Sequence, residues 1–236
     1  GPGQTMKFIL FVILAQSLEF ASFLEEEGDY YRAIYEYKKV YYSDSAQYNR
    51  DFIASKIAYL SLKISDYDEA LRYAAKISND SIRRINLGII YGLSGDFSKA
   101  ESLLSFNDTL LCWIYLRKGD VSKARDILPE IEVNLKSPFL SGLLSAIIPG
   151  FGKIYSGRIF DGFSSFLINL SSGFSFYRAY KDGRKIETYF YGALTVVFYT
   201  GNIYGSLIAT QESNKFEIDR AVKAFESKYN LWGFWR

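Results

Sequence analysis

The feature that most constrains the fold of this chain is a short pattern that occurs four times in its first half. Each copy reads small residue, Asp, apolar residue, two variable residues and Ala, and the copies begin at Gly28, Ser65, Gly95 and Gly119. A helical hairpin needs a small residue that ends one helix and an Asp that caps the next. It also needs an Ala where the two helices touch. The pattern therefore predicts an all-α fold built from consecutive helix pairs.

The residues around each turn repeat as well. A small residue lies seven positions before the start of each turn, and a packing residue lies four positions after each Ala. These are Ala21, Ala58, Gly88 and Cys112 before the turns, and Tyr37, Ala74, Leu104 and Leu128 after the alanines. In these positions the segment 17–136 resembles the tetratricopeptide repeat, although its turns are 37, 30 and 24 residues apart rather than evenly spaced.

The resemblance implies about four degenerate repeats that stack into a helical solenoid and bind a protein partner. Polar residues near the starts of the first helices of the pairs are the candidates for that contact. They are Asn49, Arg50, Lys56, Arg83, Arg84 and Asn86. The alternative for each of them is an ordinary solvated helix surface.

Composition argues against several classes of function. The chain has no His and one Cys, so His-based catalysis, Cys-rich metal sites and an intrachain disulfide are not expected. Cys112 lies in an apolar run and is expected to be a buried small hydrophobe. With 28 basic and 26 acidic residues and no basic stripe, nucleic-acid binding is not expected either. We therefore predict neither an enzyme nor a metal or cofactor site.

The first sixteen residues fall into two pieces. Residues 1–5 look like the remnant of a cleaved affinity tag. Residues 6–16 carry one Lys, a run of about eight apolar residues and a small residue near the end, which is typical of a short secretory signal peptide. The alternative is that 6–16 is simply an apolar first helix of the repeat region.

The second half, 137–210, has the composition of a membrane hairpin. Segments 159–177 and 188–210 are long enough to cross a bilayer, and they carry one charge and none. The arm 139–149 is too short to cross and suits a re-entrant or interfacial position. The loop 178–185 has four basic residues and one acidic residue. The alternative is a buried hairpin in a soluble helical domain.

Small and polar residues recur at four-residue spacing on both long segments. Ser165, Asn169 and Gly173 share one face of the first, and Gly201, Gly205 and Ala209 share one face of the second. Because helices in lipid associate through small residues, these faces are expected to pack on each other or on a second copy of the chain. Asn169 and Asn202 are expected to face each other or a partner.

The entry to the hairpin carries its most specific motif. Pro149, Gly150, Gly152, Tyr155 and Gly157 are expected to form a tight turn, followed by the helix-start residues Arg158, Asp161 and Gly162. Arg158 and Asp161 are spaced to form an ion pair. This region is similar to the C-terminal PGxGxxYxG hairpin domain of bacterial tetratricopeptide-repeat membrane proteins. The resemblance implies a role in envelope or membrane-protein biogenesis, with no cofactor.

Residues 211–236 are predicted to form an amphipathic C-terminal helix that contacts the membrane interface or the repeats. Together these features favour a scaffold in the bacterial inner membrane with a protein partner and lipid as its ligands. Loop 178–185 should be cytoplasmic, which places the repeats and the tail on the exported side. The alternatives are an oligomeric channel-like or membrane-remodelling protein, and a soluble helical binding module.

Overall fold

A computed structural model describes residues 17–43, 48–231 and 233. The stretch 6–16, predicted to be a signal peptide or apolar helix, and the tag-like residues 1–5 lie outside them. The regular elements of the described residues are all helices, so the all-α prediction is confirmed. The helices are α1 (17–26), α2 (Tyr30–Tyr41), α3 (Arg50–Lys63), α4 (Tyr67–Ala74), α5 (Asp80–Ser94), α6 (Phe97–Leu104), α7 (Asp108–Lys118), α8 (Val121–Ile127), α9 (Pro138–Ile147), α10 (Phe151–Tyr155), α11 (Ile159–Lys181) and α12 (Lys185–Lys228).

The chain forms two compact units. The first, here called the repeat unit, comprises Gly1–Ile131 together with Ala224–Arg236, and the second, the hairpin unit, comprises Glu132–Lys223. Helices α1 to α8 belong to the repeat unit, and α9 to α11 with most of α12 belong to the hairpin unit.

The four repeated turns share one local geometry. Each of the four Asp residues caps the following helix by accepting a hydrogen bond from the backbone N–H three residues later, as Asp96 does from Lys99 at 3.2 Å. The residue before each Asp has a positive φ, between 61° at Ser65 and 91° at Gly95. A left-handed residue followed by a capping Asp ends one helix and starts the next within two residues.

Most of the positions that repeat around these turns lie in the core of the repeat unit, and Leu128 is half-buried. All four alanines of the pattern are fully buried, as are Ala21, Ala58, Ala74, Leu104 and Cys112. At Gly88 two helices approach closely, since a Cβ there would lie 2.5 Å from Leu104 Cγ. The small residues therefore set how near each pair of helices can come.

Ser65 is the exception among the four turns, because the other three have Gly at the left-handed position. A residue with a Cβ costs about 1 kcal/mol or more in this conformation. We expect Ser65→Gly to raise the free energy of unfolding of the repeat unit by about 1 kcal/mol. Urea unfolding followed by Trp fluorescence measures it. Gly95→Ser, in a turn where a Cβ would meet nothing within 4 Å, should lower stability by a similar amount.

The last part of α12 packs into the repeat unit. Glu226 accepts a 2.8 Å hydrogen bond from the indole Nε1 of Trp113, which is itself almost fully buried. Glu130 accepts hydrogen bonds from Lys228 and Tyr229. This fits the predicted contact of the tail with the repeats. The aromatic residues Trp232, Phe234 and Trp235 lie outside the described residues.

Cys112 is buried and its Sγ lies 3.6 Å from the carbonyl oxygen of Ala124. Desolvation raises the pKa of this thiol to about 11. At pH 8 the folded protein should therefore react with iodoacetamide about 10²-fold more slowly than the urea-unfolded chain, whose thiol pKa is about 8.5. Between about pH 8.5 and 11 the unfolded thiol ionises while the folded one stays protonated, so stability should fall across that window. Equal alkylation rates would contradict the burial.

The hairpin unit differs from the sequence prediction in two places. The expected single turn after the arm contains a separate five-residue helix, α10, which begins after the left-handed Gly150 and ends before the left-handed Gly157. The second apolar segment and the amphipathic tail are one continuous helix of 44 residues. Because no Pro and no helix-ending Gly occur between 206 and 228, nothing local stops the helix at residue 210.

Candidate functional site

The hairpin unit buries polar side chains and exposes large apolar ones, which is the reverse of the repeat unit. Its buried side chains are mostly small and polar, whereas large apolar side chains such as Phe139, Phe160 and Ile186 are 78%, 88% and 87% exposed. The buried polar residues are Ser141, Ser145, Ser156, Ser165, Asn169, Ser172, Asn202, Ser206 and Thr210. A patch of exposed apolar surface on this scale marks a surface that contacts lipid or another protein.

The motif glycines bring backbones into direct contact. A Cβ on Gly150 would overlap the carbonyl group of Gly162, and a Cβ on Gly152 would overlap the carbonyl oxygen of Ser141. Gly162 is equally restricted, because its Cβ would lie 2.5 Å from Ile154 Cγ1 and 2.7 Å from the carbonyl oxygen of Gly150. The three glycines therefore fasten α10 to α9 and α11 at distances that exclude any side chain.

Asn202 ties α12 to the same turn. Its Oδ1 accepts a hydrogen bond from the Gly150 N–H at 3.0 Å, and its Nδ2 donates to the Ser145 carbonyl at 3.2 Å. Ser145 Oγ in turn accepts from the Gly152 N–H at 2.9 Å. The two buried backbone N–H groups of the turn are thus satisfied by one amide and one hydroxyl.

Hydroxyl groups continue this seam along α12. Ser141 Oγ lies 2.9 Å from the carbonyl oxygens of both Gly152 and Ser206, and Ser206 Oγ lies 2.6 Å from Ser145 Oγ. One turn further on, Ser156 and Thr210 hydroxyls are 2.6 Å apart. We call Ser141, Ser145, Ser156, Asn202, Ser206 and Thr210 the polar seam. It joins α9, α10 and α12 without a large side chain.

The buried face of α12 begins one residue after the predicted face, which started at Gly201. Gly201 is exposed, and neither Gly201 nor Gly173 has any atom within 4 Å of a would-be Cβ. Ala209 is buried, and Gly205 faces the Lys153 side chain, whose Cε would lie 3.4 Å from its Cβ. The buried face of α12 is instead the Asn202–Ser206–Thr210 row, because its hydroxyl and amide groups reach the turn of α10.

Asn169 and Asn202 do not bond to each other. Asn202 bonds to α9 and the motif turn, whereas Asn169 Nδ2 donates to the Ser165 carbonyl at 2.8 Å. Asn169 Oδ1 is buried and has no hydrogen-bond partner in the part of the chain that the structure describes. One turn away, Ser165 Oγ accepts from Lys153 Nζ at 2.7 Å. Lys153 was not among the predicted site residues, and its contact requires the fold of α10 onto α11.

The remaining motif residues make contacts near the start of the hairpin unit. Tyr155 Oη accepts from the Ser137 N–H at 3.2 Å, and the Lys136 ammonium lies over its ring. Arg158 approaches the predicted partner Asp161 at 3.9 Å but makes its closer ion pair with Glu212, at 2.5 Å. Pro149 immediately precedes the left-handed Gly150. These contacts are structural and include no nucleophile with an adjacent base.

The polar candidates of the repeat unit mostly have roles within the fold. Asn86 is fully buried and donates to Ser55 and to the Ile82 carbonyl, so it is unavailable to a partner. Lys56 is buried and pairs with Glu25 at 3.0 Å. Asn49 caps α3, and Arg50 and Arg83 bond to neighbouring carbonyls. Arg84 lies over the Phe106 ring at 4.3 Å.

Exposed aromatic side chains mark a different surface of the repeat unit. They lie on α1 to α4 or directly after α2: Phe20, Phe23, Tyr31, Tyr35, Tyr42, Phe52 and Tyr67. Tyr31 and Tyr35 also line a cavity of about 200 Å³ beside the Lys38–Glu69 ion pair. The sequence is 18% aromatic, but only the helix faces show which of these rings are exposed.

Among the described residues no group of three or more acidic, His or Cys side chains is placed to hold a metal ion. Comparison with protein-family models, curated protein sequences and solved structures finds no significant match. The class is therefore defined by the chain's own features. Within the described residues the regular elements are all helices, and one of them, α12, is long and apolar enough to cross a membrane.

Proposed function

We propose that this protein is a membrane-anchored scaffold whose hairpin unit sits in the bilayer and whose repeat unit binds a protein partner. The observation that carries the proposal is the reversed polarity of the hairpin unit. In the most apolar 18-residue stretch of α12, only 17% of the stretch is buried, which is unlike the core helix of a water-soluble protein. Lipid would cover these side chains.

The dimensions support insertion. Residues 188–210 of α12 carry no charge and span about 34 Å at 1.5 Å per residue, against a hydrocarbon core of about 30 Å. Helix α11 is 23 residues long and has one charge, Asp161, before its last turn. The polar seam faces inward, where its hydroxyl groups find partners that lipid cannot offer.

The proposed topology follows from the loop between α11 and α12. Its basic residues favour the cytoplasmic side of a bacterial inner membrane, and the other ends of both helices then lie on the exported side. A reporter inserted after Asp182 should be cytoplasmic. An exported signal from that position would invert the arrangement.

Membrane insertion is tested by carbonate extraction and by flotation with phosphatidylcholine vesicles. The full chain should stay in the membrane pellet and float with the vesicles. Release into the carbonate supernatant would remove the membrane proposal and leave a helical binding module in solution.

Partner binding is supported by the exposed aromatic residues of α1 and α2, since Tyr and Phe are enriched at protein interfaces. A photo-crosslinking amino acid at Tyr35 should give one reproducible protein adduct in the native host. The same label at Phe106, which is exposed but lies outside this surface, is the matched control. Equal adducts from both positions, or none from Tyr35, would count against a partner site here.

The alternative of an oligomeric channel-like or membrane-remodelling protein is favoured by Gly173 and Gly201, which are open to approach by another helix. Dye release from vesicles and the oligomeric state in detergent decide between the two. A monomer that releases no dye would favour the scaffold over the channel-like alternative. The identity of the crosslinked partner would decide whether the protein acts in envelope or membrane-protein biogenesis.

A further inference from the structure

Three cations at the loop end of the hairpin have no carboxylate partner within the described chain. They are Arg178 and Lys181 in the last turn of α11 and Lys185 at the start of α12. The fourth basic residue, Arg184, differs because it pairs with both Asp182 and Glu187. The two nearby acids are therefore already engaged, and the three remaining charges are exposed and available.

A cavity lies at the same end of the hairpin. It has a volume of about 630 Å³, which is within the roughly 300–1,000 Å³ usual for small-ligand pockets. Phe176, Tyr180 and Tyr189 are among its lining residues, and the Phe176 and Tyr180 rings stack with their centroids 6.5 Å apart. Lys185 lines the same cavity. An apolar, aromatic cavity with an unpaired ammonium suits a ligand that is apolar at one end and anionic at the other.

We propose that the loop end of the hairpin binds an anionic phospholipid, with the phosphate on Lys181 and Lys185 and an acyl chain against Phe176, Tyr180 and Tyr189. The inference rests on the proposed insertion of the hairpin unit in a membrane. Charge complementarity selects the occupant: a zwitterionic headgroup would leave the net charge of the loop uncompensated. Tyr side chains near the headgroup level are common at membrane interfaces.

A purely structural role, in which the cations only stabilise helix ends, would account for two of the three. Arg178 and Lys181 lie in the last turn of α11, where positive charge also stabilises the helix dipole. Lys185 lies in the first turn of α12, where the dipole disfavours positive charge. The helix dipole therefore does not account for the cation at that end.

The test uses the full chain in detergent and native mass spectrometry with equimolar phosphatidylglycerol and phosphatidylcholine. The unmodified protein should retain phosphatidylglycerol preferentially. Each removed charge should weaken its retention about fivefold, so Lys181→Gln/Lys185→Gln should weaken it about 25-fold. The matched control is Lys215→Gln/Lys223→Gln, which removes two exposed lysines of α12 that form no ion pair with any described residue and leaves the loop intact. Ala193→Trp, which fills the cavity, should reduce retention while leaving the cations in place.

Three results would overturn the proposal: equal retention of the two lipids, an equal loss in both double variants, or displacement of the lipid by inorganic phosphate at millimolar concentration. The last would show a site for free phosphate instead. Vesicle flotation of every variant is scored separately. A variant that still floats with phosphatidylcholine but loses its lipid preference supports the inference, whereas an unmodified protein that fails to float removes the proposed function itself.

Discussion

Gly152→Ala is expected to disrupt the hairpin unit. The new Cβ would overlap the Ser141 carbonyl oxygen and would lie 2.6 Å from Ser145 Oγ. Because the first of these atoms is backbone, α9 and α10 would have to separate, and both seam hydrogen bonds at the turn would be lost. We expect a loss of at least about 3 kcal/mol in the free energy of unfolding. Thermal unfolding of the full chain in detergent, followed by circular dichroism, measures it.

Two other helical glycines provide a control of opposite sign. Gly173 and Gly201 lie within α11 and α12, and a Cβ on either would meet nothing within 4 Å. Gly173→Ala and Gly201→Ala should each stabilise the protein by about 0.5–1 kcal/mol, because Ala favours helix more than Gly does. If Gly152→Ala behaved like these two, the close contact of α10 with α9 would be wrong. Destabilisation by Gly201→Ala would instead indicate a helix packed on that face.

Lys56→Met is expected to be the most damaging single change on the repeat side. The Lys56 and Glu25 side chains are 9% and 15% exposed, and Lys56 Nζ lies 3.0 and 3.1 Å from the two carboxylate oxygens. Methionine fills the same space but leaves the Glu25 carboxylate without its counter-ion. Removal of one partner of a buried pair costs about 3–5 kcal/mol. Urea unfolding monitored through the buried Trp113 should show this loss.

The double variant Lys56→Met/Glu25→Gln separates this cause from poor packing. With both charges gone, most of the stability should return, since a neutral replacement of a buried ion pair is often tolerated. Lys99→Met is the surface control, because Lys99 is 61% exposed and pairs with Asp96 within one helical turn. It should leave the midpoint of urea unfolding almost unchanged, because exposed ion pairs contribute little to stability. No recovery in the double variant would assign the damage to packing instead.

Tyr37 is also buried, and its hydroxyl donates a hydrogen bond to Glu25 at 3.0 Å. Desolvation raises the pKa of Tyr37, and the nearby Glu25 charge raises it further. Glu25 therefore joins α1, α2 and α3 through Tyr37 and Lys56. Although Glu25 begins an acidic run, 25–27, it is an organising group of the core.

The two units place their polar groups in opposite ways, and this contrast underlies the proposed function. In the repeat unit, apolar side chains such as Ile57 and Leu60 are fully buried and the polar ones form caps at helix starts. In the hairpin unit, hydroxyl groups are buried and aromatic rings face outward. Water disfavours the second arrangement and lipid favours it, because hydroxyl groups find partners only inside and rings need no partner outside.

The sequence by itself determined the features that depend on neighbours a few residues apart. The helix class, the four turns with their Asp caps and left-handed residues, and the burial of the pattern's alanines all follow from such local rules. A turn at Gly150 and Gly152 could also be predicted from the sequence, because two glycines after a proline indicate a turn.

Only the tertiary structure decided which face of each long helix is buried. Successive residues on a helix point about 100° apart, so the choice between the Gly201 row and the Asn202 row depends on what lies opposite. That neighbour is the turn of α10, whose Gly150 N–H requires the Asn202 amide. The same dependence explains why Lys56 and Asn86 are buried and why Lys153 reaches Ser165. Their partners are distant in sequence, and no local pattern specifies a contact between helices.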